Sequence, residues 1–160
     1  MRLNRIKAFT LVTTFFFFAI SCGDGSNPYY VEDDFSTVPD PYEITGITPD
    51  TSDSGLITYS LENGNGPFSV QIIDDVLVYY TGRTTDGEIF DSSFKNGSTS
   101  STQLAVTDVI EGFKEGLLGM KEGEKKVLVI PPSLAYGNST GSSLQNDTLI
   151  FDIELDLIIK

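Results

Sequence analysis

Histidine is absent from the 160 residues, and cysteine occurs once, at Cys22. Without an imidazole there is no Ser-His-Asp triad, no Cys-His pair, no histidine proton shuttle and no histidine-ligated metal site. A single thiol excludes an intramolecular disulfide and a thiolate metal cluster. No cofactor and no metal are therefore expected, and an electron carrier or metalloenzyme has no ligands to stand on. Positive charge is also scarce: 10 Lys and Arg face 23 Asp and Glu, a formal net charge of -13. Nucleic acid is not an expected partner, because binding it needs a cationic footprint. The uncharged run at residues 8–20 is shorter than the ~20 apolar residues of a comfortable transmembrane helix. The length suits one domain of ordinary size plus extra segments.

What is present begins with an address. Arg2, Arg5 and Lys7 precede that uncharged run, which contains Phe15, Phe16, Phe17 and Phe18. A positive n-region followed by a hydrophobic h-region is the pattern of a signal peptide. The run closes on Ala19-Ile20-Ser21-Cys22-Gly23, which resembles a bacterial lipobox with a small residue just before the cysteine. The resemblance implies cleavage before Cys22, loss of a leader at 1–21, and lipid attached to Cys22. A plain signal peptide with a stray cysteine, or an uncleaved anchor, is the other reading. Acyl chains would hold the protein at a membrane through burial of their methylenes, about 0.8 kcal/mol each. The expected location is the bacterial cell envelope, outside the cytoplasm on a periplasmic or surface face. Cleavage removes three basic residues and no acids, taking the formal charge from -13 to -16.

Residues 22–53 are expected to form a flexible acidic tether. Asp24, Glu32, Asp33, Asp34, Asp40, Glu43, Asp50 and Asp53 stand there with Pro28, Pro39, Pro41 and Pro49 and no Lys or Arg. Such a stretch repels itself and buries little. Its cluster Glu32-Asp33-Asp34 lacks the Gly and terminal Glu of an EF-hand loop and reads as solvated linker. Tyr29, Tyr30 and Tyr42 are free to dock on the domain or on a partner. From residue 54 to 160 the pattern becomes that of strands: 56–61, 76–81, 88–92, a short 103–106, 125–130, and 149–158. In the last, Leu149, Phe151, Ile153, Leu155 and Leu157 alternate with mostly polar neighbours, which assigns them to a core face.

One segment is helical. Ile110, Phe113, Leu117 and Met120 in VIEGFKEGLLGM, residues 109–120, recur at steps of three and four. Asp108 and Glu111 have capping-box spacing. Gly112, Gly116 and Gly119 each cost about 1 kcal/mol relative to Ala in a helix, so this segment needs a sheet to hold it. Strands flanking a single helix, with no regular βα alternation, predict an α+β domain with an antiparallel sheet.

With these elements in order, residues 54–160 resemble the FKBP-type peptidyl-prolyl cis/trans isomerases. The motifs that carry the resemblance are Val78-Tyr79-Tyr80-Thr81-Gly82, Asp86-Gly87, Phe90-Asp91-Ser92-Ser93, Val109-Ile110-Glu111-Gly112, Glu115-Gly116-Leu117, Met120 and Gly123-Glu124-Lys125. Pro131-Pro132-Ser133-Leu134-Ala135-Tyr136-Gly137 and Thr148-Leu149-Ile150-Phe151 complete them. The resemblance implies a curved antiparallel β-sheet wrapped around one short α-helix. It implies a pocket with Phe113 as floor and Tyr80, Phe90, Val109, Ile110, Tyr136 and Phe151 as walls. The Tyr136 hydroxyl and the Ile110 backbone N–H would bond a substrate, and Asp91 would sit near the prolyl carbonyl. Proline-containing protein segments and macrolide-type inhibitors are the implied ligands. For Phe90, Val109 and Phe151 the alternative is ordinary core. For Tyr80, Asp91 and Tyr136 it is a hydrogen-bonded pair that stiffens the sheet.

The chain departs from the family pattern in three places. Residues 97–102 are serine, threonine and glycine where relatives often place phenylalanine. The loop at 138–147 is short and lacks the usual Ile-Pro-Pro, with Leu144 a candidate replacement for its apolar lip. Asn96 stands where an arginine often pairs with the pocket aspartate. The alternative function is therefore a catalytically weak FKBP-like binding or chaperone module at the membrane surface.

Overall fold

The computed structural model describes residues 32–160, so the leader at 1–21, Cys22, Tyr29 and Tyr30 lie outside the described residues. Among the described residues no helix is long and apolar enough to cross a membrane. The strands are β1 (Asp50–Thr51), β2 (Ile57–Glu62), β3 (Asp75–Thr84), β4 (Ile89–Ser92), β5 (Thr102–Ala105), β6 (Lys125–Ile130) and β7 (Leu149–Ile159). They form one sheet in the order β1-β2-β6-β7-β3-β4, and β5 also pairs with β3. Every pairing is antiparallel. The long edge of β3 is shared: β5 pairs with Asp75 to Val78, and β4 pairs with Thr81 to Arg83. The expected antiparallel sheet with one helix is the architecture found. The two-residue β1 has no periodic signal in the sequence, since two positions cannot display an alternation.

β7 and β3 form the centre of the sheet. Leu149, Phe151, Ile153 and Leu155 are buried, as the alternation predicts, but Leu157 is 44% exposed and Ile158 is 8% exposed. The register explains the exchange. Leu77 pairs with Leu157 and Val78 with Leu155, so Asp156 is an extra residue that bulges the strand. A bulge reverses the alternation beyond it, which turns Leu157 outward and Ile158 inward.

The helix, α1, spans Glu111–Leu117, shorter at both ends than the periodic stretch. Ile110 is its N-cap, with no side-chain cap. The capping box is not formed, because Asp108 belongs to a preceding 3-10 turn, Val106–Asp108, and accepts a bond from the Thr107 hydroxyl at 2.9 Å. Gly119 lies beyond the helix with φ at 83°, a conformation that suits glycine and ends the turn. Gly112 and Gly116 lie inside α1, where an added Cβ would collide with Ile130 and Leu128 of β6. The glycines set how closely the helix lies on the sheet. Phe113, Leu117 and Met120 are buried there, each such side chain contributing about 1.5–3 kcal/mol.

The opposite face of the sheet is also covered, by residues 33–53. Arg83 on β3 and Asp152 on β7 form a buried ion pair on that face. The Arg83 guanidinium donates to the Pro39 carbonyl at 2.8 Å, and Pro39, Asp40 and Tyr42 lie beside Asp152. The composition predicts a tether for this stretch, yet from Asp33 onward it belongs to the same compact unit as the domain. Its acids also make contacts with the domain, as the exposed Asp33 pairs with Lys95 at 3.1 Å. A buried ion pair needs its remaining donors and acceptors satisfied, and this segment supplies one of those bonds through the Pro39 carbonyl.

Candidate active site

The hairpin of β3 and β4 carries Tyr80 near the middle of one strand and Phe90-Asp91 on the other. Opposite them, the chain entering α1 brings Val109 and Ile110, and the helix itself brings Phe113. Tyr136 follows a 3-10 turn at Pro132–Leu134, where two prolines end β6 and redirect the chain. Phe151 comes from the inward face of β7. These eight side chains, scattered over more than seventy positions, line one open cleft of about 900 Å³.

Four aromatic rings stack edge to face around it. Phe113 lies 5.0 Å from Phe151 with planes at 78°, and 6.0 Å from Tyr80 at 80°. Phe90 meets Phe151 at 5.5 Å and 85°. Perpendicular pairs at these separations suit the aromatic quadrupole and hold the rings in fixed orientations. Gly82 makes room for them: a Cβ there would come 2.6 Å from Phe90 and 2.7 Å from Phe151. Phe113 is only 3% exposed, so its ring is at once core and cleft floor.

The polar groups divide into fixed and free. Asp91 is fixed: it accepts from the Tyr80 hydroxyl at 2.7 Å and from the Ser92 N–H at 2.9 Å, and Lys95 lies 3.2 Å from its other side. Burial, then the neighbouring Asp91, pushes the Tyr80 hydroxyl well above the usual phenol range, so it stays a neutral donor. The Tyr136 hydroxyl and the Ile110 N–H have no protein hydrogen-bond partner among the described residues, and both residues line the cleft. Two unengaged donors above an aromatic floor can hold the carbonyl oxygens of a bound peptide. Among the described residues no group of three His, Cys, Asp or Glu side chains is placed to hold a metal.

The sequence reading does not single out Lys95, Leu104 or the rim acids Glu88, Asp108 and Asp147, all of which line the cleft. Lys95, one residue before the Asn96 that stands in the family's arginine position, is the cation that pairs with Asp91. The four-residue spacing from Asp91 to Lys95 signals a pair only in a helix, and here the end of β4 and a turn connect them. Asn96 instead has φ at 58° and bonds Asp33 and Asp34. Leu144 lines the cleft in the short loop after Tyr136, and Leu104 adds an apolar side chain from β5.

The chain is similar to known proteins in sequence and fold. The family model described as "FKBP-type peptidyl-prolyl cis-trans isomerase" matches residues 66–156. The chain is 43% identical over 103 residues to FK506-binding protein 1A of Neurospora crassa, covering 63% of this chain and 86% of that one. It is 42% identical over 106 residues to the FKBP-type peptidyl-prolyl cis-trans isomerase FkpA of Escherichia coli, covering 66% of this chain but 38% of that one. The crystal structure of FkpA from Escherichia coli superposes with a TM-score of 0.64 at 38% identity, over 69% of this chain and 51% of that one. The matched stretch contains β3 to β6, most of β7, the helix and each of the cleft aromatics, and the chain belongs to the FKBP-type peptidyl-prolyl cis-trans isomerase family.

Proposed function

We propose that the protein is a lipid-anchored peptidyl-prolyl isomerase that assists folding of proteins outside the cytoplasm. The observation that carries the catalytic reading is the cleft with an aromatic floor and two unengaged donors, Tyr136 and Ile110 N–H. Rotation about an X-Pro bond breaks amide resonance against a barrier of roughly 18–20 kcal/mol and requires neither a nucleophile nor a proton on carbon. A site with no histidine and no reactive thiol is sufficient for it.

In this reading a proline ring rests on Phe113 between Tyr80, Phe90 and Phe151. The Tyr136 hydroxyl and the Ile110 N–H each hold a substrate carbonyl. Asp91, held in place by its three partners, faces the prolyl carbonyl. The twisted amide has lost resonance and charge separation, so apolar walls favour it over either planar form. Each 1.36 kcal/mol of that preference gives tenfold in rate. Macrolide-type ligands would occupy the same cleft, as the name of the Neurospora crassa relative suggests for that protein.

The location rests on the leader and on Cys22. Uncatalysed isomerisation takes tens to hundreds of seconds and limits folding where prolines are native, so an envelope protein bearing this cleft would serve chains maturing there. The test is isomer exchange in proline peptides with the purified chain, alongside membrane partition of the wild type and Cys22→Ser. Acceleration above background, with Cys22→Ser recovered in the soluble fraction, is expected. No acceleration would sink the catalytic reading, and an unchanged partition would sink the lipid anchor.

A further inference from the structure

Among the described residues Lys95 is the single cation lining the cleft, and the other charged lining residues, Glu88, Asp91, Asp108 and Asp147, are acids. Among the described residues, no Lys or Arg forms an ion pair with Glu88, Asp108 or Asp147. The Lys95 ammonium lies between two carboxylates, 3.1 Å from Asp33 and 3.2 Å from Asp91. Both pairings strengthen its hold on its proton, the bond to Asp33 most.

Asp33 arrives from the segment ahead of the sheet, and its position is fixed by more than one contact. The Asn96 side-chain amide donates to the other Asp33 oxygen at 3.1 Å. The Asp34 N–H donates to the Asn96 side-chain oxygen at 2.8 Å, and the Asn96 N–H donates to the Asp34 carbonyl at 2.7 Å. The Thr37 hydroxyl adds a bond to the Phe94 carbonyl at 3.3 Å. An isolated exposed ion pair has little positional force. Here the backbone of residue 34 is paired to the turn that carries Lys95, so the carboxylate of residue 33 is delivered to a defined place.

We propose that Asp33, acting through Lys95, sets which charges the cleft accepts beside the proline. With Lys95 divided between Asp33 and Asp91 its charge is offset, and the uncompensated acids Glu88, Asp108 and Asp147 dominate the rim. X-Pro segments with a Lys or Arg next to the proline are then favoured over segments with Glu or Asp. Without the Asp33 carboxylate only Asp91 holds Lys95. Its flexible stem then lets the ammonium sweep the cleft mouth, and the preference narrows. Asp33 is a positioning residue in this scheme, and Lys95 determines specificity. The proposal deepens the isomerase reading and rests on it.

The experiment compares kcat/KM of the full chain on three peptides that differ only before the proline: Lys-Pro, Leu-Pro and Glu-Pro. The wild type is expected to favour Lys-Pro over Glu-Pro by about two- to fivefold, the scale of an exposed ion pair, and 0.5 M salt should collapse the ratio. Asp33→Asn should move the ratio toward one through opposite changes in KM for the two charged peptides, and Asp33→Glu should restore it. Lys95→Ala should raise the ratio above wild type. A general loss of folding would lower all three peptides together and leave the ratio alone. Acceleration of all three peptides with the same ratio in wild type, Asp33→Asn and Lys95→Ala would overturn this inference while leaving the isomerase reading intact. No acceleration of any peptide would overturn both.

Discussion

The Tyr136 hydroxyl is the most informative single atom in the cleft, because the fold makes no use of it. Tyr80, half-buried like Tyr136, spends its hydroxyl on Asp91 at 2.7 Å. Tyr136 has none among the described residues, so Tyr136→Phe should leave thermal stability near wild type. Loss of one hydrogen bond to substrate, about 0.5–1.5 kcal/mol, should lower kcat/KM by roughly two- to tenfold. Peptide exchange rates beside a thermal melt check both halves, and an unchanged kcat/KM would remove Tyr136 from the site. For Tyr80 and Asp91 the sequence allows either a pocket or a stiffening pair, and the structure shows that the two are compatible. The pair closes one side of the cleft while their bond holds the ring in place. Lys95 was not legible in the same way. A lysine beside Asn96 looks like any solvated surface residue until the turn at 95–97 folds it back toward Asp91.

At the scale of the element, α1 shows how sequence can overstate and understate at once. The periodic residues 109–120 overstate its length, because Gly119 takes a left-handed conformation and Ile110 is already extended. The glycines look like defects by propensity alone, and Gly112 and Gly116 are the positions at which the helix touches β6. Gly112→Ala separates the two views. Propensity favours alanine by about 1 kcal/mol, whereas overpacking costs typically 1–3 kcal/mol. Since the γ2 methyl of Ile130 and the Cβ of Leu134 stand in the way, the clash should win by about 1 kcal/mol. Urea denaturation reads this directly, and a stabilised variant would refute the close packing. In β7 the alternation is right through Leu155 and wrong beyond it, because a bulge at Asp156 depends on how the partner strand β3 pairs.

At the scale of the whole molecule, residues 33–53 belong to the domain's architecture. They give the buried Arg83 an acceptor in the Pro39 carbonyl and grip the turn that carries Lys95. A chain beginning at residue 54 should therefore unfold at a lower urea midpoint than one beginning at residue 32. The expected loss is about 1–3 kcal/mol for the buried polar groups left without partners, and equal midpoints would show the segment to be passive. The composition of that stretch, acidic and proline-containing, describes how it behaves when free. It says nothing of a docking face, because that face is assembled from β3 and β7, strands far away in sequence.

The sequence by itself determined which chemistries are excluded, the order of strands and helix, the family, and the eight cleft residues. These are written in composition, in local periodicity and in motifs, all of which survive in a chain read one residue at a time. The tertiary structure decided the bulge that exchanges Leu157 for Ile158, the pairing of Lys95 with Asp91 and Asp33, and the docking of residues 33–53. Each of those depends on distance between residues remote in the chain. Register, ion pairing and face coverage are energies of juxtaposition, and they have no value until the sheet has closed around its helix.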